Sequence, residues 1–363
     1  MVLVLLIFGL AALFIGAELL VRGASRLAVT LGLSPLVVGL TVVAYGTSAP
    51  EFVVSVQSTL AGQPDVALAN VIGSNIFNVL VILGISAVII PLRVSQQILQ
   101  ADVPLMVALS IVLMGFSIDG RLGRLDGAFL TAGLLIYTVW VVNKGRKVPA
   151  GISSEVQAAF RVDPQTGMTG QALRNGSFII AGLGCLILGS HWFVESAITM
   201  ARYLGVSELV IGLTIVAAGT SLPEVATSIT AALRGERDIA VANVIGSNLF
   251  NMMGVVGTCS LLAADGVAVS ETAFRLDFPV MIAAAVACLP IFFTGHVIAR
   301  WEGGVFVAYY VAYIGYLILS ATASEWTRTF GTAMLGFVVP LTVITLATGV
   351  FRAVLRRNHA QLE

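Results

Sequence analysis

Polar residues are sparse along this chain and fall in clusters, leaving apolar runs of about 20 residues, the length of a helix that crosses a bilayer. Eleven such runs are read, at 2–22, 36–60, 67–90, 102–118, 125–143, 176–200, 209–233, 240–263, 277–295, 304–322 and 331–351. The first has no basic leader and is too long for the core of a cleavable signal, so it is read as a membrane helix. The longest polar connection, 144–174, is too short for a folded domain and divides the first ten runs into two fives. Four regions follow: a first half over 1–143, a linker over 144–174, a second half over 175–322, and an extra span with a basic tail over 323–363.

The two halves share a repeat. Residues 39–78 and 212–251 align at a constant offset of 173, with 24 of 40 positions identical and no gap. Polar positions persist between the copies while apolar neighbours drift, so duplication for packing alone explains the pattern poorly. Corresponding runs are five crossings apart. Five is odd, so the copies enter the membrane in opposite directions, the inverted-repeat plan of secondary transporters. The predicted fold is an all-α integral membrane protein: a ten-helix inverted repeat, five plus five, with an eleventh C-terminal transmembrane helix.

Composition agrees, with 58% hydrophobic and 10% charged residues. The net charge of zero excludes a basic nucleic-acid-binding face. Placing the loops alternately puts fourteen Lys and Arg residues on one side, among them Arg22, Arg26, Arg93, Lys144, Arg234 and Arg300. Arg121, Arg124, Arg202, Arg275 and Arg328 fall on the other. The richer side is cytoplasmic, which places the N-terminus outside and the C-terminus inside a plasma or inner membrane. Cys185, Cys259 and Cys288 have no metal-ligand spacing and read as small buried apolar residues.

The chemistry sits in the repeats. In AYGTSAPE, residues 44–51, Pro50 lacks an amide hydrogen and its ring opposes the carbonyl of Gly46, so the helix is expected to break there. Thr47 and Ser48 precede Glu51 by four and three residues, a spacing that would put their oxygens on one helix face. Thr220, Ser221, Pro223 and Glu224 repeat the arrangement. In NVIGSNIFN and NVIGSNLFN, Ser74 with Asn78 and Ser247 with Asn251 are spaced i, i+4. Asn70, Asn75, Asn243 and Asn248 read as interhelical hydrogen-bonding residues. No Lys or Arg lies inside the four spans of the repeats to pair with Glu51 and Glu224. A carboxylate at that depth costs about 3 kcal/mol even on lenient insertion scales. The pair is therefore protonated or faces a cation. An all-oxygen set of carboxylates, hydroxyls, amides and freed carbonyls suits hard cations such as Ca²⁺ and Na⁺.

Elsewhere, Glu18 and Arg22 are placed to pair along the first helix. Glu195, with His191, is read as a secondary polar lining residue or a packing residue. Tyr309, Tyr310, Tyr313 and Tyr316 read as packing or interfacial aromatics.

The motifs GTSAPE with GSNIFN and GTSLPE with GSNLFN resemble the two α-repeats of the sodium/calcium exchanger family. The resemblance implies that Glu51 and Glu224 are central Ca²⁺ ligands. It implies that Thr47, Ser48, Ser74, Asn78, Thr220, Ser221, Ser247 and Asn251 complete Ca²⁺ and Na⁺ sites, joined by the backbone carbonyls of Ala44 and Ala217. It further implies exchange of three Na⁺ for one Ca²⁺ by sliding of the first and sixth helices, with the ions as cargo, no cofactor, and no enzymatic activity. Some relatives carry aspartate at one position matching Asn78 or Asn251; asparagine at both argues against K⁺ co-transport. The residues alone leave H⁺/Ca²⁺ exchange open, with protons replacing Na⁺ on the glutamates. A channel or an intramembrane hydrolase is a further alternative, although Ser48 and Ser221 have no histidine near them in sequence.

Overall fold

A computed structural model describes residues 2–145, 168–292, 295–340 and 343. Arg146, Lys147 and Arg161 of the expected linker, most of the second half of the eleventh span, and the basic tail lie outside these residues. Helix α1 (Val2–Leu31) is followed by a short arm, α2 (Pro35–Thr47), and by α3 (Ala49–Leu60). Then come α4 (Pro64–Ile89), α5 (Ile98–Phe116) and α6 (Arg124–Gly145). The second half runs through α7 (Met168–Tyr203), an arm α8 (208–219), α9 (Leu222–Leu233) and α10 (Arg237–Leu262). It continues with α11 (273–287), α12 (Arg300–Ala321) and a helix α13 over 326–338.

Seven of these helices, α1, α4, α5, α6, α7, α10 and α12, are long and apolar enough to cross a membrane. The α2–α3 pair adds an eighth, bent by 45°. Two expected boundaries shift. The first helix runs on to Leu31, because Gly23, Ala24, Ser25 and Ala28 keep a buried face beyond Arg22. The ninth span is helical only to Ala287 and then tightens to a 3₁₀ turn at Leu289–Phe292, where Pro290 cannot continue the α-helical ladder.

Wider π turns occur at matched places in the two halves. They cover Gly39–Val43 and Gly212–Val216, Asn78–Leu83 and Asn251–Val255, and Ile98–Asp102 and Ala273–Asp277. Such turns inside α-helices often mark functional positions. Two small antiparallel ladders join the halves. β1 (Leu92–Arg93) pairs with β4 (Val297–Ile298), and β2 (Arg121–Leu122) pairs with β3 (Val267–Ala268).

The repeat helices form the centre. In α10, 94% of the apolar window is buried and in α4 72%, against 22% in α1 and 6% in α12. The outer helices α1 and α7 pack on each other through glycines. A Cβ at Gly16 would lie 2.8 Å from the Gly182 carbonyl oxygen, and one at Gly9 2.9 Å from that of Gly189. Apolar lipid provides no hydrophobic drive between helices, so this pair depends on close backbone approach. Midway along α1, Glu18 forms an ion pair with Arg234, which follows α9, and also pairs with Arg22.

Gly16→Val and Gly182→Val are each expected to destabilise this pair by about 1–3 kcal/mol through overpacking. A lowered thermal midpoint in detergent would show it. Gly184→Ala, whose added Cβ meets open space, is expected to leave the midpoint unchanged. Unaltered midpoints in both valine variants would remove the glycines from the packing argument.

Candidate ion-binding site

The two halves break their helices with nearly the same backbone. Ser48 adopts φ −80°, ψ 8° and Ser221 φ −88°, ψ 7°, and each caps the helix that follows. Pro50 and Pro223 sit in the first turns of α3 and α9, where a missing amide hydrogen costs nothing. Glu51 and Glu224 lie in the same first turns, so the positive end of each half-helix faces its own carboxylate. Both glutamates are at most 1% exposed.

The side-chain bonds then cross between repeats. Ser48 Oγ donates to Glu224 Oε1 at 2.8 Å, and Ser221 Oγ donates to Glu51 Oε1 at 2.8 Å. Each serine therefore bonds the glutamate of the other copy rather than the glutamate three residues on. Thr47 Oγ1 likewise donates to Asn243 Oδ1 at 3.1 Å, and Thr220 Oγ1 to Asn70 Oδ1 at 3.5 Å. Asn70 and Asn243 hold their own repeats together, donating to Ser55 and Ser228 at 3.0 and 2.9 Å. Asn78 Nδ2 donates to Asn248 Oδ1 at 2.9 Å, and Asn251 Nδ2 to Asn75 Oδ1 at 3.2 Å.

After these bonds, Oε2 of Glu51, Oε2 of Glu224, Oδ1 of Asn78 and Oδ1 of Asn251 are buried without a hydrogen-bond partner. Buried acceptors without a partner are costly, and four in two matched pairs point to ligands that bring positive charge. The remaining expected residues divide. Ser74 lies 3.2 Å from the Ser221 hydroxyl, whereas Ser247 donates to the Ala44 carbonyl at 3.4 Å. That carbonyl also accepts the Ser48 amide at 3.0 Å, so it is not left bare by the break. Ala217, its counterpart, is exposed. Glu195 pairs with His191 at 3.7 Å, and both side chains are well exposed, so they lie apart from the buried cluster. Reading the repeat by matched positions missed Thr227: its hydroxyl is buried and unpartnered one turn after Glu224, where the first copy has Val54.

The two arms beside the buried cluster pack unequally. On the α2 side, Gly39 and Gly246 are tight: a Cβ would lie 2.7 Å from Ala242 Cβ and from the Leu40 carbonyl oxygen respectively. Their counterparts Gly212 and Gly73 have nothing within 4 Å. Tyr45 helps to seal the α2 arm. Its ring stacks on Phe250 at 4.7 Å and its hydroxyl hydrogen-bonds Thr138 at 2.8 Å. The matching residue in the α8 arm is Ala218, which can do neither. Beside that arm an apolar cavity of about 420 Å³ lies among Phe193, Val194, Ala218, Leu222, Tyr310 and Ile314.

A helical fold with spans long and apolar enough to cross a membrane, around a buried oxygen cluster built from two repeats, is the arrangement expected of a cation transporter. The family profile described as "Sodium/calcium exchanger protein" matches residues 1–143 and 176–319. The chain is 38% identical over 288 residues to the putative antiporter CaxA of Alkalimonas amylolytica, covering 79% of this chain and 88% of that one. It is 30% identical to the sodium/calcium exchanger MaX1 of Methanosarcina acetivorans, covering 85% and 96%. A solved structure of the sodium-calcium exchanger NCX_Mj, soaked with 2.5 mM Na⁺ and 0.1 mM Ca²⁺, matches with TM-score 0.73 and 30% identity, covering 86% of this chain and 97% of that one. This chain belongs to the sodium/calcium exchanger family, whose members are membrane antiporters for Ca²⁺ and a counter-cation.

Ser48→Ala and Ser221→Ala each strip one carboxylate of its side-chain donor. Each is expected to weaken Ca²⁺ binding by about tenfold, the usual scale for groups that orient a ligand. The two losses are expected to be similar because the two bonds match in length. Titration of the purified variants with Ca²⁺ checks this, and wild-type affinity in both would count against the cross-repeat pairing.

Proposed function

We propose that this protein is an electrogenic Na⁺/Ca²⁺ antiporter that extrudes Ca²⁺ by alternating access. The observation that carries this reading is the set of four unpartnered buried oxygens, two carboxylate and two amide, contributed equally by the repeats. Glu51 and Glu224 would hold Ca²⁺, with their two charges balancing it. Thr47, Ser48, Ser74, Asn78, Thr220, Ser221, Ser247, Asn251 and the carbonyls of Ala44 and Ala217 would complete overlapping Ca²⁺ and Na⁺ positions. Competition of the two ions for the same carboxylates couples their movements. Hydroxyl and amide oxygens around the carboxylates favour Na⁺ over H⁺ as the driving ion, because a proton needs no coordination shell.

The plan that fits this reading is the inverted five-plus-five repeat, with halves over 1–143 and 175–322, a cytoplasmic linker over 144–174 and an additional span within 323–363. In that plan the reciprocal bonding of Ser48 with Glu224 and Ser221 with Glu51 follows from a two-fold relation between halves. The positive-inside bias favours an N-terminus outside and a C-terminus inside the cell, in which case the more loosely packed α8 arm faces outward. The glycine contacts of α1 and α7 would let that pair move as one body across the fixed repeat core.

Radiolabelled Ca²⁺ uptake into proteoliposomes tests the driving ion. An imposed Na⁺ gradient is expected to drive uptake and an imposed pH gradient is not; the opposite result would make this an H⁺/Ca²⁺ exchanger. Flux that needs neither gradient and does not saturate would indicate a channel. Glu51→Gln and Glu224→Gln are each expected to abolish exchange while the protein still inserts, and normal exchange by both would remove the site assignment. Access is tested with cysteines in the arms. Val216 is 48% exposed and Val43 is 0% exposed. Val216→Cys is expected to react with an impermeant maleimide added outside the cell and Val43→Cys is not; equal labelling from both sides would contradict an outward-open state.

A further inference from the structure

Two methionines outside the ligand set sit against the amides that orient the site. Asn248 Nδ2 lies 3.4 Å from Met106 Sδ, and Asn75 Nδ2 lies 3.7 Å from Met281 Sδ. Met106 and Met281 occupy matching places in α5 and α11, one residue after Leu105 and Val280 in the two halves. Both are at most 3% exposed, and the four asparagines are at most 2% exposed.

An asparagine amide is nearly symmetric in shape, so its neighbours decide which end is oxygen. A thioether sulfur accepts a hydrogen bond weakly and donates none. Facing sulfur, the NH₂ end is attracted and the oxygen end is repelled. With Nδ2 of Asn75 held toward Met281, Oδ1 of Asn75 points the other way and accepts Asn251 Nδ2. Oδ1 of Asn251 is then left unpartnered. The same sequence runs from Met106 through Asn248 to Asn78, whose Oδ1 is also unpartnered. Were Asn75 to turn over, its NH₂ would meet that of Asn251. Asn251 would turn in response and present hydrogens where a cation needs an oxygen.

We infer that Met106 and Met281 are positioning residues whose sulfur atoms, through Asn248 and Asn75, keep the carbonyl ends of Asn78 and Asn251 facing the cation. The inference rests on the ion-site reading above and adds the origin of the site's polarity. The two chains are unequally supported. Asn248 Nδ2 also donates to the Asn75 backbone carbonyl at 3.4 Å, a second anchor in the same direction. Loss of sulfur at Met281 therefore does more harm than loss at Met106.

Leucine keeps the volume and removes the acceptor, whereas glutamine keeps the length and supplies a stronger acceptor. Ca²⁺ exchange by full-length variants in proteoliposomes, resolved into apparent KM and maximal rate, reads the effect. Met281→Leu is expected to raise the KM for Ca²⁺ about tenfold with the rate at saturation retained. Met281→Gln is expected to keep the KM near the wild-type value. Met106→Leu is expected to raise KM less than Met281→Leu, and it carries the test if Met281→Leu does not insert. An unchanged KM in both leucine variants overturns the inference. Equal losses in leucine and glutamine variants, or a fall in rate with KM unchanged, would show a packing role and overturn it as well. Glu51→Gln in the same vesicles separates the two readings: if it transports normally the ion site itself is wrong, whatever the methionine variants do.

Discussion

Two buried carboxylates with no ion-pair partner among the described residues set the terms for everything else in this protein. Each must be offset by something other than lysine or arginine. The fold supplies three partial answers: a half-helix N-terminus behind each acid, a serine hydroxyl from the opposite repeat on one oxygen, and a second oxygen kept free. The half-helices require a break, and the break requires Pro50 and Pro223 with a pliable turn before them. Burial of the acids then demands a thick shell, which is why α4 and α10 are the most enclosed helices. The fourth contribution, positive charge, comes from no ion pair among the described residues, and the proposed exchange assigns it to the transported ion.

Symmetry provides the matched donors, and its local failure makes the two arms unequal. Reciprocal bonds between repeats persist at the serines, the threonines and the asparagines. They fail at the arms. Tyr45 ties the α2 arm to Phe250 and Thr138, while Ala218 leaves the α8 arm without an equivalent contact. A second imbalance lies at the helix ends. Arg234 pairs with Glu18 of α1, whereas the residue matching Arg234 in the first half is Ala61. The central cage is thus nearly two-fold while its surroundings are not.

Much of this was legible in the chain. The repeat, the breaks, the buried acids and the hard-cation chemistry all follow from composition and spacing, because a bilayer allows few ways to satisfy a backbone and fewer to bury a charge. Individual partners were not legible. Spacing put Thr47, Ser48 and Glu51 on one face, but the turn at Ser48 sends its hydroxyl to Glu224. The resemblance makes the Ala44 carbonyl an ion ligand, yet the Ser48 amide and the Ser247 hydroxyl also reach it. Thr227 has no matching hydroxyl in the first copy, so a comparison of repeats passes over it. The first helix was read short because Arg22 resembled an end, whereas its pairing with Glu18 lets the helix continue.

The sequence by itself determined the class of chemistry: two acids, their hydroxyl and amide neighbours, and a duplicated frame. These depend on local rules, namely periodicity, proline geometry and the cost of charge in hydrocarbon. Only the tertiary structure decided which oxygen meets which donor, which amide oxygen is left unpartnered, and which arm packs more tightly. Those outcomes arise between segments about 170 residues apart in the chain, where no spacing rule reaches and packing geometry alone selects the partner.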